Sequence, residues 1–231
     1  ILRDLGKLKE AEVSCRKAIE LNPNFVKAYS NLGNILRDLG KLKEAEVTCR
    51  KAIELNPNFA KSHSNLGNIL RDLGKLQDAL DSYLKVIKIN PLNSEIYNTI
   101  TKLLSNSDPS QFHQSQLKVI LNILLEKNNV PHDGLFRTFN FLYSNKLNNN
   151  LQRFETNVLN EDLFELFIND QLIINALKKI IFRNVKLEGI LIKIRRIICV
   201  RIAKNSESIY QSYLQFIIAL GVQCFLNEYV Y

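Results

Sequence analysis

Apolar residues recur at helical spacing through the first hundred residues. Between Val26 and Leu39 they fall on one helix face, at Tyr29, Leu32, Ile35, Leu36 and Leu39. A second run from Leu42 repeats the pattern at Ala45, Cys49, Ala52 and Ile53. Gly40 separates the runs and Pro57 follows the second, and both favour helix ends, because glycine accepts a left-handed cap and proline lacks a backbone N–H. The pattern predicts two helices joined as a hairpin.

The predicted hairpin is repeated every 34 residues. The octapeptide ILRDLGKL begins at Ile1, Ile35 and Ile69, and residues 1–34 match residues 35–68 at 30 of 34 positions. This period is typical of a helix-turn-helix unit that buries its apolar face only by stacking on its neighbours. The phase predicts a partial repeat at 1–25, whole repeats at 26–59 and 60–93, and a further first helix at 94–104, with more repeats expected before Ile1.

Small residues explain how each hairpin closes. Gly33 with Ala45, and Gly67 with Ala79, fall where two helix axes must approach, so a larger side chain would hold the helices apart. A glycine stop between the two helices is expected at the same position of each octapeptide: Gly6, Gly40 and Gly74.

These residues resemble the tetratricopeptide repeat family. Its motif runs from an aromatic residue through Leu-Gly and an apolar residue to Gly, Ala, an aromatic or apolar residue, Ala and Pro. The first whole repeat matches with Tyr29, Leu32, Gly33, Leu36, Gly40, Ala45, Cys49, Ala52 and Pro57. The next matches with His63, Leu66, Gly67, Leu70, Gly74, Ala79, Tyr83, Val86 and Pro91. The resemblance implies an all-α solenoid of about two and a half repeats plus a final helix, followed by a non-repeat helical region.

The resemblance also implies a binding face. Tetratricopeptide arrays hold a peptide or partner protein on the concave face of their first helices, at positions opposite the apolar stripe. In this chain those positions are Lys27, Asn31, Asn34, Arg37, Asp38, Lys61, Asn65, Asn68, Arg71 and Asp72, together with Ser30 and Ser64. An asparagine amide has both donors and an acceptor, so it can bind an extended peptide backbone without reading its sequence.

Two kinds of tetratricopeptide groove can be compared with this face. The run YSNLGN resembles the asparagine-lined repeats of peptide O-linked N-acetylglucosamine transferases. A carboxylate clamp of the chaperone-binding kind is disfavoured, because Ser30 and Ser64 stand where that clamp has lysine. The alternative for the asparagines is a solvated polar face shared by two recently duplicated copies.

The repeat pattern stops after Leu104. Residues 105–231 are therefore expected to form a separate helical connector region. Asp108 or Ser107 is the predicted cap, and Pro109 the predicted first turn, of its opening helix. Helices are predicted in QSQLKVILNILLEK, HDGLFRTFNFLYSN, EDLFELFIND with QLIINALKKIIFRN, LEGILIKIRRIICVRIAK and ESIYQSYLQFIIALGVQCFLNEY, with a loop at KLNNNLQRFETN.

Positive charge is concentrated in this second region. Residues 178–204 contain nine basic residues and one acid, Glu188, while the whole chain has a net charge of +8. A basic amphipathic helix can face nucleic acid, an anionic membrane or an acidic partner. A core stripe is nevertheless predicted at Ile190, Leu191, Ile194, Ile197, Ile198 and Ile202. The basic residues Lys193, Arg195, Arg196 and Arg201 are then its solvated side, and without interleaved aromatic residues nucleic acid is disfavoured.

Catalytic chemistry is not predicted for this chain. RIAKNSES and FIIALGVQCFLNEYVY resemble the helical stretch that links tetratricopeptide repeats to a class I methyltransferase domain in bacterial proteins, which implies a methyltransferase as the parent protein. The chain itself has no glycine-rich cofactor loop, since Gly134, Gly189 and Gly221 are isolated. His132 and Asp133 are adjacent in a predicted turn, where two side chains rarely face one target.

The cysteines at positions 15, 49, 199 and 224 also carry no predicted chemistry. They stand alone without neighbouring histidines, so no metal site or disulfide is predicted and a cytoplasmic location is expected. No apolar run reaches the length of a membrane span. We interpret the chain as a non-enzymatic protein-binding scaffold without a cofactor, preceding a methyltransferase domain. The alternatives are the substrate arm of a glycosyltransferase and a free-standing scaffold.

Overall fold

Helices make up the described protein. The computed structural model describes residues 2–143, 168–180, 185–204 and 208–228. Its α-helices are α1 (Leu2–Leu21), α2 (Val26–Asp38), α3 (Leu42–Leu55), α4 (Ala60–Asp72), α5 (Leu76–Ile89), α6 (Ser94–Asn106), α7 (Gln114–Glu126), α8 (136–143 as far as described), α9 (Gln171–Lys179), α10 (Val185–Lys204) and α11 (Ser208–Glu228). These ranges contain no strand, which confirms the predicted all-α class. The predicted loop KLNNNLQRFETN and most of EDLFELFIND lie outside the described residues.

The chain divides into two compact units, Ile1–Ile100 and Thr101–Tyr231. In the first unit each helix packs on the next from α1 to α5, and α2 also packs on α4. The first helices of consecutive repeats are therefore neighbours, as stacking of helical hairpins requires. The domain boundary expected between residues 104 and 105 stays a prediction.

The turn inside each hairpin is a helix cap made by glycine. Gly40 and Gly74 both have φ 76°, in the left-handed region. The N–H of Lys41 donates to the carbonyl of Leu36 at 2.8 Å, and the N–H of Gly40 donates to that of Arg37 at 2.9 Å. Lys75 and Gly74 make the same pair of bonds at the end of α4. This is the Schellman arrangement, which satisfies the last carbonyls of a helix and turns the chain back.

Glycine also sets the distance between the two helices of a hairpin. A Cβ atom at Gly33 would overlap the Cys49 Sγ atom, and one at Gly67 would overlap the ring of Tyr83. Cys49 and Tyr83 are both fully buried. The predicted close approach is thus confirmed, because any side chain at either glycine would force the helices apart.

The stop predicted at Gly6 is wrong. Helix α1 runs without a break through Gly6, although the surrounding octapeptide is identical to the one that turns at Gly40. The octapeptide alone therefore does not determine whether the chain turns.

The second unit is built around α7 and α9. Helix α9 packs on α7 and α11, and α10 packs on α11. The buried residues of α7 are Leu117, Ile120, Leu121, Leu124 and Leu125. Asp108 caps a short 3₁₀ turn, Pro109–Gln111, by accepting from the N–H of Ser110 at 3.1 Å. The predicted cap is confirmed, although α7 itself begins later, at Gln114.

Candidate functional site

The ten residues predicted for partner binding lie on α2 and α4. We call them the first-helix face, and they are Lys27, Asn31, Asn34, Arg37, Asp38, Lys61, Asn65, Asn68, Arg71 and Asp72. Nine of them are exposed or half-buried, and Asn65 is buried. Because α2 and α4 pack together, the two halves of the face adjoin.

Three polar contacts cross from α2 to α4. The Asn65 amide donates to the backbone carbonyl of Ser30 at 2.9 Å and to its hydroxyl at 3.2 Å. Lys61 donates to the side-chain carbonyl of Asn31 at 3.1 Å, and Arg37 lies 3.6 Å from the Asp72 carboxylate. Part of the predicted binding face therefore joins one repeat to the next.

The structure corrects the roles of Asn65 and Ser30. Both were expected in the groove, but Ser30 is fully buried and Asn65 is only 8% exposed. Since an unpaired buried amide is costly, the hydrogen bonds to Ser30 explain why Asn65 can lie there. These bonds hold the Asn65 amide at the helix interface. Asn34 and Asn68, which occupy a different position of the repeat, remain partly exposed.

A hydrogen bond from Tyr83 fixes the orientation of the Asn68 side chain. The Tyr83 hydroxyl donates to the Asn68 side-chain carbonyl at 2.8 Å. Burial raises the pKa of Tyr83 to about 12, so its hydroxyl stays protonated and remains a donor at neutral pH. With its carbonyl occupied, Asn68 keeps its two N–H donors, which have no partner among the described residues. Sequence reasoning assigned Tyr83 to packing alone and missed this contact.

Asn34 and Lys27 leave further groups unpaired on the same face. The Asn34 amide donates to Asp38 at 3.4 Å, while its carbonyl oxygen has no donor among the described residues. Lys27 is exposed and has no ion pair there either. By contrast, Arg37 forms an ion pair with Asp38, and Arg71 forms one with Asp72, both at 2.9 Å. An incoming chain would meet free amide groups and largely neutralised charges.

Carboxylates on the second helices form another link between repeats. Glu12 of α1 accepts hydrogen bonds from Arg16 at 2.8 Å and Lys41 at 2.9 Å, and Glu46 of α3 accepts one from Lys75 at 2.8 Å. These hydrogen bonds lower the pKa of Glu12, and the bond from Lys75 does the same to Glu46. Sequence reasoning did not identify them, although each lysine directly follows the turn glycine.

The other candidate residues are used structurally. His63 is buried and its Nε2 lies 2.8 Å from the carbonyl of Pro57, while His132 Nε2 lies 3.2 Å from that of Leu124. Burial raises the pKa of the Cys49 thiol to about 12, which makes it a poor nucleophile. In the described ranges no group of three or more His, Cys, Asp and Glu side chains could hold a metal ion.

The basic stretch follows its predicted pattern where its side chains are described. Leu191, Ile194 and Ile198 are buried, and Arg196 is exposed. Arg195 is half-buried and donates to Glu188 at 3.2 Å. The side chains of Ile190, Lys193, Ile197, Arg201 and Ile202 lie outside the described set. Among the helices searched, which are those of the described residues, none is long and apolar enough to cross a membrane.

Comparison with protein families matches the repeats. A family model described as tetratricopeptide repeat matches residues 26–59 and 60–93, and one described as TPR repeat matches residues 1–36. No curated protein gives a match.

Solved structures show similar folds. The first TPR of Spaghetti (RPAP3), bound to an HSP90 peptide, is 30% identical, with a TM-score of 0.41, 42% of this chain covered and 78% of that one. YrrB, a TPR protein with an unusual peptide-binding site, is 20% identical with a TM-score of 0.44, covering 89% and 96%. An O-GlcNAc transferase mutant from Thermobaculum terrenum is 21% identical with a TM-score of 0.45, covering 52% and only 23% of that longer chain.

Proposed function

Since the chain belongs to the tetratricopeptide repeat family through residues 1–93, we propose that it is a non-catalytic protein-interaction module. Its first-helix face binds an extended peptide segment of a partner protein. Stacked repeats of this kind present continuous surfaces suited to such ligands. The proposal goes beyond family membership in naming the residues that make the contact.

The proposal rests on the unpaired hydrogen-bonding groups of Asn34 and Asn68. These two asparagines occupy the same position in consecutive repeats, and each retains unpaired hydrogen-bonding groups among the described residues. Asn68 offers donors and Asn34 offers an acceptor, which together match the carbonyl and N–H of a peptide backbone. The Tyr83 hydroxyl fixes Asn68 in advance, so less side-chain entropy is lost when a peptide binds.

The spacing of the two helices fixes the register of such a peptide. Packed helix axes lie about 8 to 10 Å apart, and an extended chain advances about 3.3 Å per residue. The peptide groups bound by Asn34 and Asn68 are therefore about three residues apart. Recognition through the backbone selects for an extended conformation more than for particular side chains.

Two finer interpretations stay predictions. The resemblance of RIAKNSES and FIIALGVQCFLNEYVY to a methyltransferase linker would make the repeats the N-terminal interaction module of a larger protein with a methyltransferase domain. The asparagine-lined face would equally suit the arm of an O-GlcNAc transferase-like enzyme. Either parent protein would use the first-helix face in the proposed way, so the peptide-binding test below is independent of them.

Peptide selection tests the proposal directly. A phage-displayed library of random peptides is enriched on the full chain, and the affinity of each enriched peptide is measured by fluorescence polarisation. We expect Asn34→Ala/Asn68→Ala to weaken binding by about tenfold or more, since several hydrogen bonds are lost.

The matched control removes two asparagines elsewhere. Asn106→Ala/Asn129→Ala changes exposed side chains far from this face in sequence and should leave affinity unchanged. Circular dichroism verifies that both double variants retain their helices. Enriched peptides that bind Asn34→Ala/Asn68→Ala as tightly as the native chain would refute the proposed face.

A further inference from the structure

A cavity of about 750 Å³, broadly open to solvent, lies between the ends of α3 and α5 and the start of α4. Its lining is apolar at Ile53, Pro57 and Ile89, and polar at Asn58, His63, Lys85 and Lys88. Its volume falls in the range of about 300 to 1,000 Å³ that small-molecule sites occupy. None of these residues belongs to the first-helix face, so the cavity is separate from the proposed peptide site.

The preceding repeat provides an internal comparison for this cavity. Counting back 34 residues, Ile53 corresponds to Ile19, Pro57 to Pro23 and Lys85 to Lys51, so much of the lining is retained. Three positions change: His63 replaces Tyr29, Lys88 replaces Glu54 and Ile89 replaces Leu55. The first two replacements change the ring size and the charge of the lining, whereas the third exchanges one aliphatic side chain for another.

His63 performs the anchoring role of a tyrosine with a smaller ring. Its Nε2 lies 2.8 Å from the carbonyl of Pro57, and in the next repeat the Tyr97 hydroxyl donates to the carbonyl of Pro91 at the same distance. Since Pro57 and Pro91 occupy equivalent positions, the loop is held in the same way in both repeats. The smaller imidazole leaves space that a phenol ring would fill.

The second replacement converts an ion pair into two like charges. In the preceding repeat Lys51 donates to Glu54 at 3.0 Å. The equivalent residues on α5 are Lys85 and Lys88, both exposed at the cavity and neither in an ion pair with any described residue. Like charges three residues apart destabilise a helix, and an anion between them would remove that penalty.

We propose that this cavity binds a small organic anion with an apolar body. The carboxylate or phosphate group lies between Lys85 and Lys88, and the hydrocarbon part packs against Ile53 and Ile89. Lysine suits either headgroup, because its ammonium acts as a point charge without the fixed fork of arginine.

Nuclear magnetic resonance titration of the full ¹⁵N-labelled chain tests this assignment. The anionic probes are 4-phenylbutyrate and phenyl phosphate, and the neutral probe is 4-phenylbutan-1-ol. We expect at least one anion to shift the amide signals of α5 around Lys85 and Lys88 in a saturable way, and the alcohol to bind about tenfold more weakly. Comparison of the two anions distinguishes a carboxylate from a phosphate ligand.

Variants that restore the preceding repeat provide the controls. Lys88→Glu recreates the charge pair and His63→Tyr recreates the larger ring, so both variants should fold. Each should reduce the affinity for the anion by about tenfold. Lys88→Glu should also raise thermal stability, because an attraction replaces a repulsion on α5. Lys43→Glu makes the same charge change on the exposed side of α3 and should leave affinity unchanged.

Three results would overturn the proposal. One is the failure of both anions to shift these signals, and another is equal binding of the alcohol. The third is an equal loss of affinity in Lys43→Glu and Lys88→Glu, which would show that anion binding depends only on the overall charge of the protein.

Discussion

The ring of Tyr83 fills the space that a Cβ atom at Gly67 would need. The same side chain is fully buried, and its hydroxyl donates to Asn68 at 2.8 Å. One residue thus sets the distance between α4 and α5 and orients an amide on the first-helix face. Because packing and orientation use different parts of the side chain, substitutions can separate them.

Gly67→Ala tests the packing role. The added methyl group must displace a buried aromatic ring, so we expect a loss of about 2 kcal/mol in the free energy of unfolding. Urea denaturation followed by circular dichroism measures the change. Equal stability of Gly67→Ala and the native chain would show that α4 and α5 can separate freely, contrary to the packing described.

Tyr83→Phe tests the orienting role. The ring and its packing remain, so the free energy of unfolding should fall by only about 1 kcal/mol. The affinity for a selected peptide should nevertheless fall severalfold, because Asn68 is no longer held in advance. Fluorescence polarisation measures this effect. The control is Tyr97→Phe, which also removes a tyrosine hydroxyl, but one that donates to the carbonyl of Pro91. Equal affinities of Tyr83→Phe and Tyr97→Phe would exclude an orienting role.

The identical octapeptides allow a test of the glycine turn. Gly40 has φ 76°, so Gly40→Ala should cost about 1 to 2 kcal/mol of stability. Gly6 lies inside α1 with no neighbouring atom near an added Cβ, so Gly6→Ala should gain about 0.5 to 1 kcal/mol. Denaturant melts of both variants measure the difference. A loss of stability in Gly6→Ala would contradict the continuous helix.

The Glu12 and Lys41 contact predicts a dependence on pH. Hydrogen bonds from Arg16 and Lys41 lower the pKa of Glu12 below its ordinary value of 4.5. The ionised carboxylate therefore stabilises the fold above this value, and the stabilisation is lost as pH falls through the lower folded-state pKa. At neutral pH, Glu12→Gln should be less stable by about 0.5 to 1 kcal/mol, since Lys41 is 47% exposed.

That difference should shrink as the pH falls through the lowered pKa of Glu12, because native Glu12 then becomes protonated as well. Urea denaturation at neutral and acidic pH measures it. Glu20→Gln removes an exposed carboxylate of the same helix and should have little effect at either pH. A constant deficit of Glu12→Gln across this range would mean that ionisation is not its cause.

Local sequence rules predict the hairpins well, but they fail where contacts with other helices determine the burial of a residue. Gly33 and Gly40 could be assigned because close packing and a left-handed cap each demand glycine. The helical conformation at Gly6 could not be predicted, since its octapeptide is identical to those that turn at Gly40 and Gly74. The helical phase placed Asn65 on the polar side, yet contact with α2 buries it against Ser30.

The cavity depends on a similar tertiary effect. His63 matches the aromatic position of the repeat motif, but the space beside it is formed by three separate helices. The lysines at positions 85 and 88 appear as ordinary surface charges until their counterparts Lys51 and Glu54 are seen as an ion pair. Pairwise comparison of repeats, position by position, is the signal that could have identified this site.

Backbone N-methylation of a selected peptide tests peptide binding on the first-helix face most directly. Each N-methyl group removes one donor without changing the side chain, and affinities are measured for the native chain and for Asn34→Ala/Asn68→Ala. We predict that methylation at the position contacting Asn34 weakens the native chain by about tenfold, but has little further effect on the double variant. Equal losses in both proteins, or tight binding that depends only on the peptide side chains, would contradict recognition through these two asparagines.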